Sequence, residues 1–408
     1  MRAAAAAAAF VLWCSAADAQ TISHRGFFEA ESLLFPQTAV NDATRVVADA
    51  LFREELFVRP APWVQFAAGL DLRANSHDQV EHRWRLDFGD RGLRRPRAAI
   101  RRLTATLTAG PLTVDVGKQF IRWARADMFN PIDRFAPRDF LNVIDSEFLP
   151  VSAVRPSLQR GNHTLEAVWA WRLTPSRIPL LDQRWTVVPP EAAGLSIRDG
   201  GSRFPARGQA GVRWRHTGGQ MELGLAYFDG YNHLPHIEAL PVDADTIEVT
   251  RVFPRLRSYG GDAAVPLPWF TVKAEAAYFA TPAENTPDYT LYMVEIERQV
   301  GEWLLIGGYA GDAGRDSTTP PAFDPERALA PSLMGRVSYT VDPRRTIAFE
   351  GAARQNGDGQ YVKADFSQVI ADRWRLTVAA VVLAGDQRDF LGQFDRNSHI
   401  TTALRVSF

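Results

Sequence analysis

The chain of 408 residues carries 46 lysines and arginines against 47 aspartates and glutamates, so it has no basic excess for a nucleic-acid partner. After the first few residues, no apolar run approaches the roughly 18 residues that a membrane-spanning helix needs. Yet 46% of the residues are hydrophobic and 24 are phenylalanine. Strands with one apolar and one polar face would reconcile these two observations.

The start of the chain has the features of a secretory signal peptide. Arg2 precedes an apolar stretch, Ala3 to Trp13, that is too short to span a membrane. Ala17-Asp18-Ala19 fits the small-x-small cleavage pattern, so residues 1–19 are predicted to be removed and residues 20–408 to form a single domain. The only cysteine, Cys14, lies in the signal peptide, and the mature chain is therefore expected to use no disulfide.

From about residue 22 onward, apolar and polar residues alternate with the period of two that is typical of half-buried strands. Between residues 270 and 278, Val272 and Ala274 share one face while Lys273 and Glu275 share the other. Charges recur on a single face, as in a transmembrane barrel with a polar interior. The charged residues predicted to face the lumen are Arg213, Arg215, Glu222, Lys273, Glu275, Glu295, Glu297, Glu350, Arg354, Lys363, Asp365, Arg375 and Arg405.

Short turns and long polar loops alternate strictly along the chain. Eight short connections, such as Arg160-Gly161-Asn162, and nine longer ones predict eighteen strands with both chain ends in the periplasm. The predicted fold class is an all-β, antiparallel, up-and-down transmembrane barrel, closed because unpaired backbone groups are costly in lipid. Sixteen strands is the alternative, since the first two predicted strands, about 22–35 and 45–58, alternate least cleanly.

The segment Gly117 to Pro150 leaves the alternating pattern and interleaves charges with aromatic residues such as Trp123 and Phe135. Large apolar side chains need a surface to pack against, so the segment is predicted to fold inward and to form a charged constriction over residues 122–149. The alternative is an ordered outer loop whose charge pairs only stabilise its own fold. The candidate constriction residues here are Arg122, Arg125, Asp127, Asp133, Arg134, Arg138 and Asp139.

A second charged segment runs from Arg172 to Trp185 and contains two prolines that make it stiff. Arg177 and Arg184 are further candidates, because they could pack against the first charged segment. A rigid extracellular loop is the alternative interpretation.

The sequence gives little support for catalysis or for a metal site. The eight histidines are scattered, and His233 and His236, near Asp229 and Glu238, lack both helical spacing and an obvious third ligand. There is no Gly-x-Ser-x-Gly motif and no phosphate-binding glycine loop. The protein is therefore predicted to be no enzyme and to use no cofactor and no metal.

The last strand carries the clearest family signal. Ile400, Leu404 and Phe408 share one face, and Arg405 lies on the other, so the chain ends on an apolar face at an aromatic residue. This ending resembles the closing strand of Gram-negative outer-membrane β-barrels. The whole mature chain resembles porin-like barrels of sixteen to eighteen strands, in which a strand end like residues 117–123 precedes a charged loop.

The resemblance implies a protein of the Gram-negative outer membrane, in contact with lipid and lipopolysaccharide. It also implies recognition by the barrel-assembly machinery through the strand ending at Phe408. General porins are usually strongly acidic trimers, and the balanced charge of this chain departs from that pattern, so no oligomeric state is predicted.

The function predicted from these observations is a passive channel for small polar or charged solutes. Because neither sign of charge dominates the predicted lumen, little preference between anions and cations is expected. Two alternatives remain open: a gated exporter barrel for a polysaccharide, and a closed barrel acting as a receptor or structural anchor.

Overall fold

The computed structural model describes residues 21–187, 194–281, 288–314 and 323–408, and the predicted signal peptide lies outside them. Eighteen of the described strands form a closed antiparallel barrel, in which the last strand pairs with the first. The eighteen-strand prediction is thus confirmed, and the sixteen-strand alternative is wrong. The barrel strands are β1 (Thr21–Leu34), β2 (Val46–Ala61), β3 (Val64–Asn75), β4 (Ala98–Ala109), β5 (Leu112–Gln119), β6 (Val151–Arg160), β7 (His163–Ala170), β8 (Gln209–Gly218), β9 (Met221–Tyr231), β10 (Arg255–Pro266), β11 (Thr271–Ala280), β12 (Tyr289–Val300), β13 (Trp303–Ala313), β14 (Ser332–Asp342), β15 (Arg345–Arg354), β16 (Gln360–Ile370), β17 (Trp374–Ala384) and β18 (His399–Ser407).

The connections follow the predicted rhythm, with short turns at one end of the barrel and long loops at the other. Gly161 adopts a φ of +57° in the turn between β6 and β7, a conformation that glycine reaches without steric cost.

Strand β2 alternates poorly in sequence because Glu54 faces outward, where it contacts His24 of β1, while Arg53 faces inward to Asp71. Both faces of β2 therefore carry charge.

Apart from charged residues such as Glu54, the outward face of the barrel is mainly apolar. Leu225, Val294 and Val382 are large exposed side chains on this face, whereas Glu295, next to Val294, points inward and is fully buried. Trp269, Trp303 and Trp374 lie exposed beside the short turns, as aromatic residues do at a membrane interface. No helix among the described residues is both long and apolar enough to cross a membrane.

The long loops contain secondary structure that the sequence did not predict. Residues Ser196–Arg203 and Thr246–Val252 pair in parallel, and His236–Pro241 completes this small three-stranded sheet. Two short helical turns, Pro325–Ala328 and Gly392–Asn397, lie in the long loops that precede β14 and β18, and Leu86–Asp87 pairs with the start of β4. Arg138–Asp139 pairs with Glu147–Phe148 inside the loop between β5 and β6.

The seam between the first and last strands depends on Gly26. The backbones of Gly26 and Phe408 exchange two hydrogen bonds of 3.0 Å. A Cβ at Gly26 would lie 2.8 Å from the carbonyl oxygen of Arg53 and 2.6 Å from the ring of Phe408, far closer than ordinary packing allows. Phe408 can therefore pack against β1 only because residue 26 has no side chain.

Replacing Gly26 with alanine is expected to destabilise the closed barrel by about 1–3 kcal/mol, the usual cost of overpacking. The refolded fraction, measured as heat-modifiable migration in gel electrophoresis, should fall. Gly307→Ala is the matched control, because a Cβ there meets nothing within 4 Å on strand β13. Equal refolding of the two variants would show that the seam tolerates a side chain at residue 26.

Candidate functional site

The loop between β5 and β6, residues 120–150, folds into the barrel; we call it the inner loop. Its buried aromatic residues include Trp123, Phe129 and Phe135, and they pack against inward-facing wall residues such as Phe228 and Met293. The ring of Phe135 lies 5.2 Å from that of Trp123 and 5.1 Å from that of Phe228. The wall of β7 and β9–β13 is apolar on its inner face here, and burying it against the inner loop stabilises the arrangement.

Two wall carboxylates hold the backbone of the inner loop. Glu275, only 2% exposed, accepts hydrogen bonds from the N–H groups of Arg125 at 3.0 Å and Ile132 at 2.9 Å, with a longer one from the next residue, Ala126. Glu295 accepts from the N–H of Asp127 at 3.1 Å. Hydrogen bonds to the wall thus hold the backbone of the loop, in addition to the packing of its apolar side chains.

Charged side chains reinforce this attachment. Arg125 reaches Asp262 at 3.0 Å and also contacts Glu222, while Asp262 pairs with Arg213 at 2.9 Å. The Lys273 ammonium lies 2.5 Å from Asp127.

The oxygens of Asp127, Glu295 and Glu297 lie within 4.8 Å of one another, as in a cation site. The ammonium of Lys273 lies among them, 2.5 Å from Glu297 and 3.4 Å from Glu295. It already supplies positive charge to these three carboxylates.

Two arginines of the inner loop are organised around one aromatic ring. The guanidinium groups of Arg122 and Arg138 lie 4.1 Å and 4.0 Å from the ring centre of Phe148, a distance at which cation–π attraction operates. Asp133 accepts hydrogen bonds from Arg122 at 3.1 Å and from the N–H of Ala124 at 2.8 Å. The side chain of Arg122 remains 44% exposed, whereas that of Asp133 is buried.

The second charged segment meets the inner loop through Arg177 but not through Arg184. Arg177 bonds Asp139 at 3.0 Å and Asp90 at 2.9 Å, and Arg95 bonds the same Asp139 carboxylate at 3.0 Å. Burial alone would raise the pKa of Asp139, but Arg95 and Arg177 outweigh it and hold that pKa well below its usual range.

Arg184 lies over the ring of Phe35 at 3.6 Å and bonds Asn397 at 3.3 Å. It therefore ties its own segment to the first and last extracellular loops, not to the inner loop.

The inner loop also reaches the opposite side of the barrel. Glu147 lies 2.6 Å from Arg73 on β3 and 3.8 Å from Arg53 on β2. Burial alone would raise the pKa of Glu147, but these two arginines and Arg101 outweigh the effect of burial and lower the pKa to about 2. Asp145 pairs with Lys363 on β16. The loop is consequently attached around most of the circumference of the barrel.

The remaining sequence-predicted residues form local pairs or line the wall. Arg134 bonds Glu326 at 3.0 Å and the imidazole of His233 at 2.9 Å, so His233 contacts a cation and is not joined by the exposed His236. Glu350 lies 3.6 Å from Arg336. The other pairs are Arg354 with Asp389 at 2.8 Å and Arg405 with Glu29 at 2.7 Å, while Arg215, Asp365 and Arg375 lie on the inward faces of β8, β16 and β17.

Several partners in this network were missed by sequence reasoning. Asp262 could have been found, because the alternation along β10 places it on the inner face with Ser258 and Leu256. Glu166, which accepts from the indole N–H of Trp123, likewise follows the alternation of β7. Glu326 has no such signal, since it lies on a helical turn inside a long loop.

Two cavities of about 100 Å³ or more border the inner loop, beside a third of only about 30 Å³ at Asp139 and Leu149. The larger, about 620 Å³, lies between the loop and the wall of β11–β16. Its lining includes Pro325 and Phe390 in the long loops and extends to Glu297 and Leu304, on the parts of β12 and β13 that lie toward their short connecting turn. The smaller, about 100 Å³, lies against β1–β3 and is lined by Glu31, among others.

No protein-family model matches this chain, and no curated protein matches it. Several solved structures have a similar fold. One is OccK3 (OpdO) of Pseudomonas aeruginosa, with a TM-score of 0.55, 12% identity and 95% of each chain covered. OpdQ of Pseudomonas aeruginosa also has a TM-score of 0.55, with 11% identity over 96% of this chain and 99% of that one. A BenF-like porin from Pseudomonas fluorescens Pf-5 has the same TM-score, 12% identity and 96% and 98% coverage.

The chain is therefore a transmembrane β-barrel with the porin fold. This confirms the fold class predicted from the alternating strands and from the closing strand ending at Phe408.

Proposed function

We propose that the protein is a passive outer-membrane channel for small polar or charged solutes, narrowed by residues 122–149 of the inner loop. The observation that carries this proposal is the larger cavity, which lies beside the inner loop between Pro325 and Phe390 of the long loops and Glu297 and Leu304 of the wall. A barrel of this strand number encloses a water-filled lumen unless loops fill it. Here the inner loop fills one side and leaves the other side open.

Permeation of solutes into liposomes tests the proposal directly. Vesicles containing the refolded protein should swell in small sugars and amino acids and stop swelling above a size limit. Vesicles that exclude every solute, although the barrel is correctly folded, would contradict the channel and favour a closed receptor or structural barrel.

The same proposal includes contact of the outer face with lipid and lipopolysaccharide, and recognition of the Phe408 strand by the assembly machinery.

The channel is expected to discriminate weakly between anions and cations. The larger cavity is lined by five carboxylates and three cationic side chains, and several of these are paired with each other. Neither sign of ion therefore meets a strong net field. Reversal potentials measured in a salt gradient should remain well below the ideal value for either ion, and a potential close to an ideal value would contradict this.

A further inference from the structure

One segment of the inner loop separates the two cavities. Asn142, Asp145 and Glu147 line the smaller cavity. Their neighbours Val143, Ile144, Ser146 and Phe148 line the larger one, and the two sets of lining residues do not overlap. Residues 142–148 therefore form a partition, and any widening of the solute path toward β1–β3 requires this segment to move.

The partition is attached to three parts of the barrel. On one side, Glu147 pairs with the arginines of β2–β4. In the middle, Val143 packs with Phe390 and Leu391 of the last extracellular loop. On the remaining side, Asp145 meets Lys363, and these two side chains are 35% and 20% exposed. Lys363 belongs to β16, whose Tyr361 lines the larger cavity, whereas Asp145 lines the smaller one.

We propose that the Asp145–Lys363 ion pair is a strut that holds this partition closed and so sets the upper size of solute that the channel admits. The inference rests on the proposed channel function. Both residues act as positioning residues, since they fix the segment that bounds the path. Without the pair, the apolar packing of Val143 and Ile144 is the attachment that remains beside residue 145, and the segment can swing toward the smaller cavity.

The test compares single-channel conductance and solute size limit in Asp145→Asn, Lys363→Met and the charge-swapped double variant Asp145→Lys with Lys363→Asp. Each single variant should raise conductance about twofold, because the constriction widens into the smaller cavity, and should admit larger sugars. The swapped pair should restore both properties. Arg375→Met, which removes a lumen charge remote from the partition on an exposed position of β17, is the control and should leave the size limit unchanged.

The outcomes separate this inference from the channel proposal. A folded wild type that does not conduct would refute the channel. A conducting wild type whose single variants keep the same conductance and size limit would refute only the strut. A swapped variant that stays as permeable as the single variants would also refute the strut, because the effect would then come from altered lumen charge and not from the pair.

Discussion

Replacing residues 122–149 with a short glycine-containing turn is expected to raise single-channel conductance about threefold, because an eighteen-stranded barrel without an inward loop encloses a wide aqueous lumen. The replacement is geometrically simple, since Gln119 at the end of β5 already pairs with Val151 at the start of β6. A tight turn can therefore join the two strands without altering the wall.

The replacement also exposes the apolar inner face of the wall, including Phe228 and Met293, to water, so the variant should be less stable than the wild type. Heat-modifiable migration in gel electrophoresis verifies that the barrel still closes before conductance is compared. A properly folded variant with unchanged conductance would contradict the assignment of the inner loop as the constriction and favour the alternative of an ordered structural loop.

Replacing Glu275 with alanine is expected to loosen the attachment of the inner loop to the wall, while the loop remains inside the barrel. The substitution removes the acceptor for the N–H groups of Arg125, Ala126 and Ile132. A buried donor left without a partner costs about 1–3 kcal/mol of stability. Losing the acceptor for three donors therefore weakens the attachment of the loop more than losing a single apolar contact would. The expected result is a noisier channel whose conductance fluctuates between the wild-type level and higher levels.

Two control variants make this result specific. Glu275→Gln keeps one carbonyl oxygen that can accept hydrogen bonds, so its current traces should lie between those of the wild type and of the alanine variant. Glu55→Ala removes another lumen carboxylate, one paired with Arg25 near the periplasmic end, and should leave the current quiet. Equal noise in the Glu55 and Glu275 variants would show that loss of lumen charge, and not release of the loop, is responsible.

The barrel could be predicted from sequence because each of its signals is local. A turn such as Gly161-Asn162 and the alternation of Val272, Lys273, Ala274 and Glu275 require no knowledge of distant residues. Once the strands are counted, lipid forces the sheet to close, so the pairing of β18 with β1 follows without further information. The least regular strand, β2, was harder to recognise because Glu54 carries charge to the outer face.

The arrangement of the candidate site could be predicted only in part. The prediction of an inward-folded segment came from the aromatic content of residues 117–150, and two of those aromatic residues, Trp123 and Phe135, are buried in contact with wall residues. The partners of the charges are set by contacts between residues more than a hundred positions apart, such as Asp145 with Lys363. Arginine and carboxylate side chains can pair in many combinations, so sequence alone did not distinguish Arg177, which meets the inner loop, from Arg184, which does not.

Single-channel conductance of the refolded wild-type protein in a planar bilayer tests the central claim most directly. The account predicts discrete, reproducible current steps that are smaller than those of the variant without residues 122–149. A correctly folded barrel that remains silent at every applied voltage would contradict the claim of an open channel beside the inner loop, whereas steps as large as those of the loop-replaced variant would contradict the constriction.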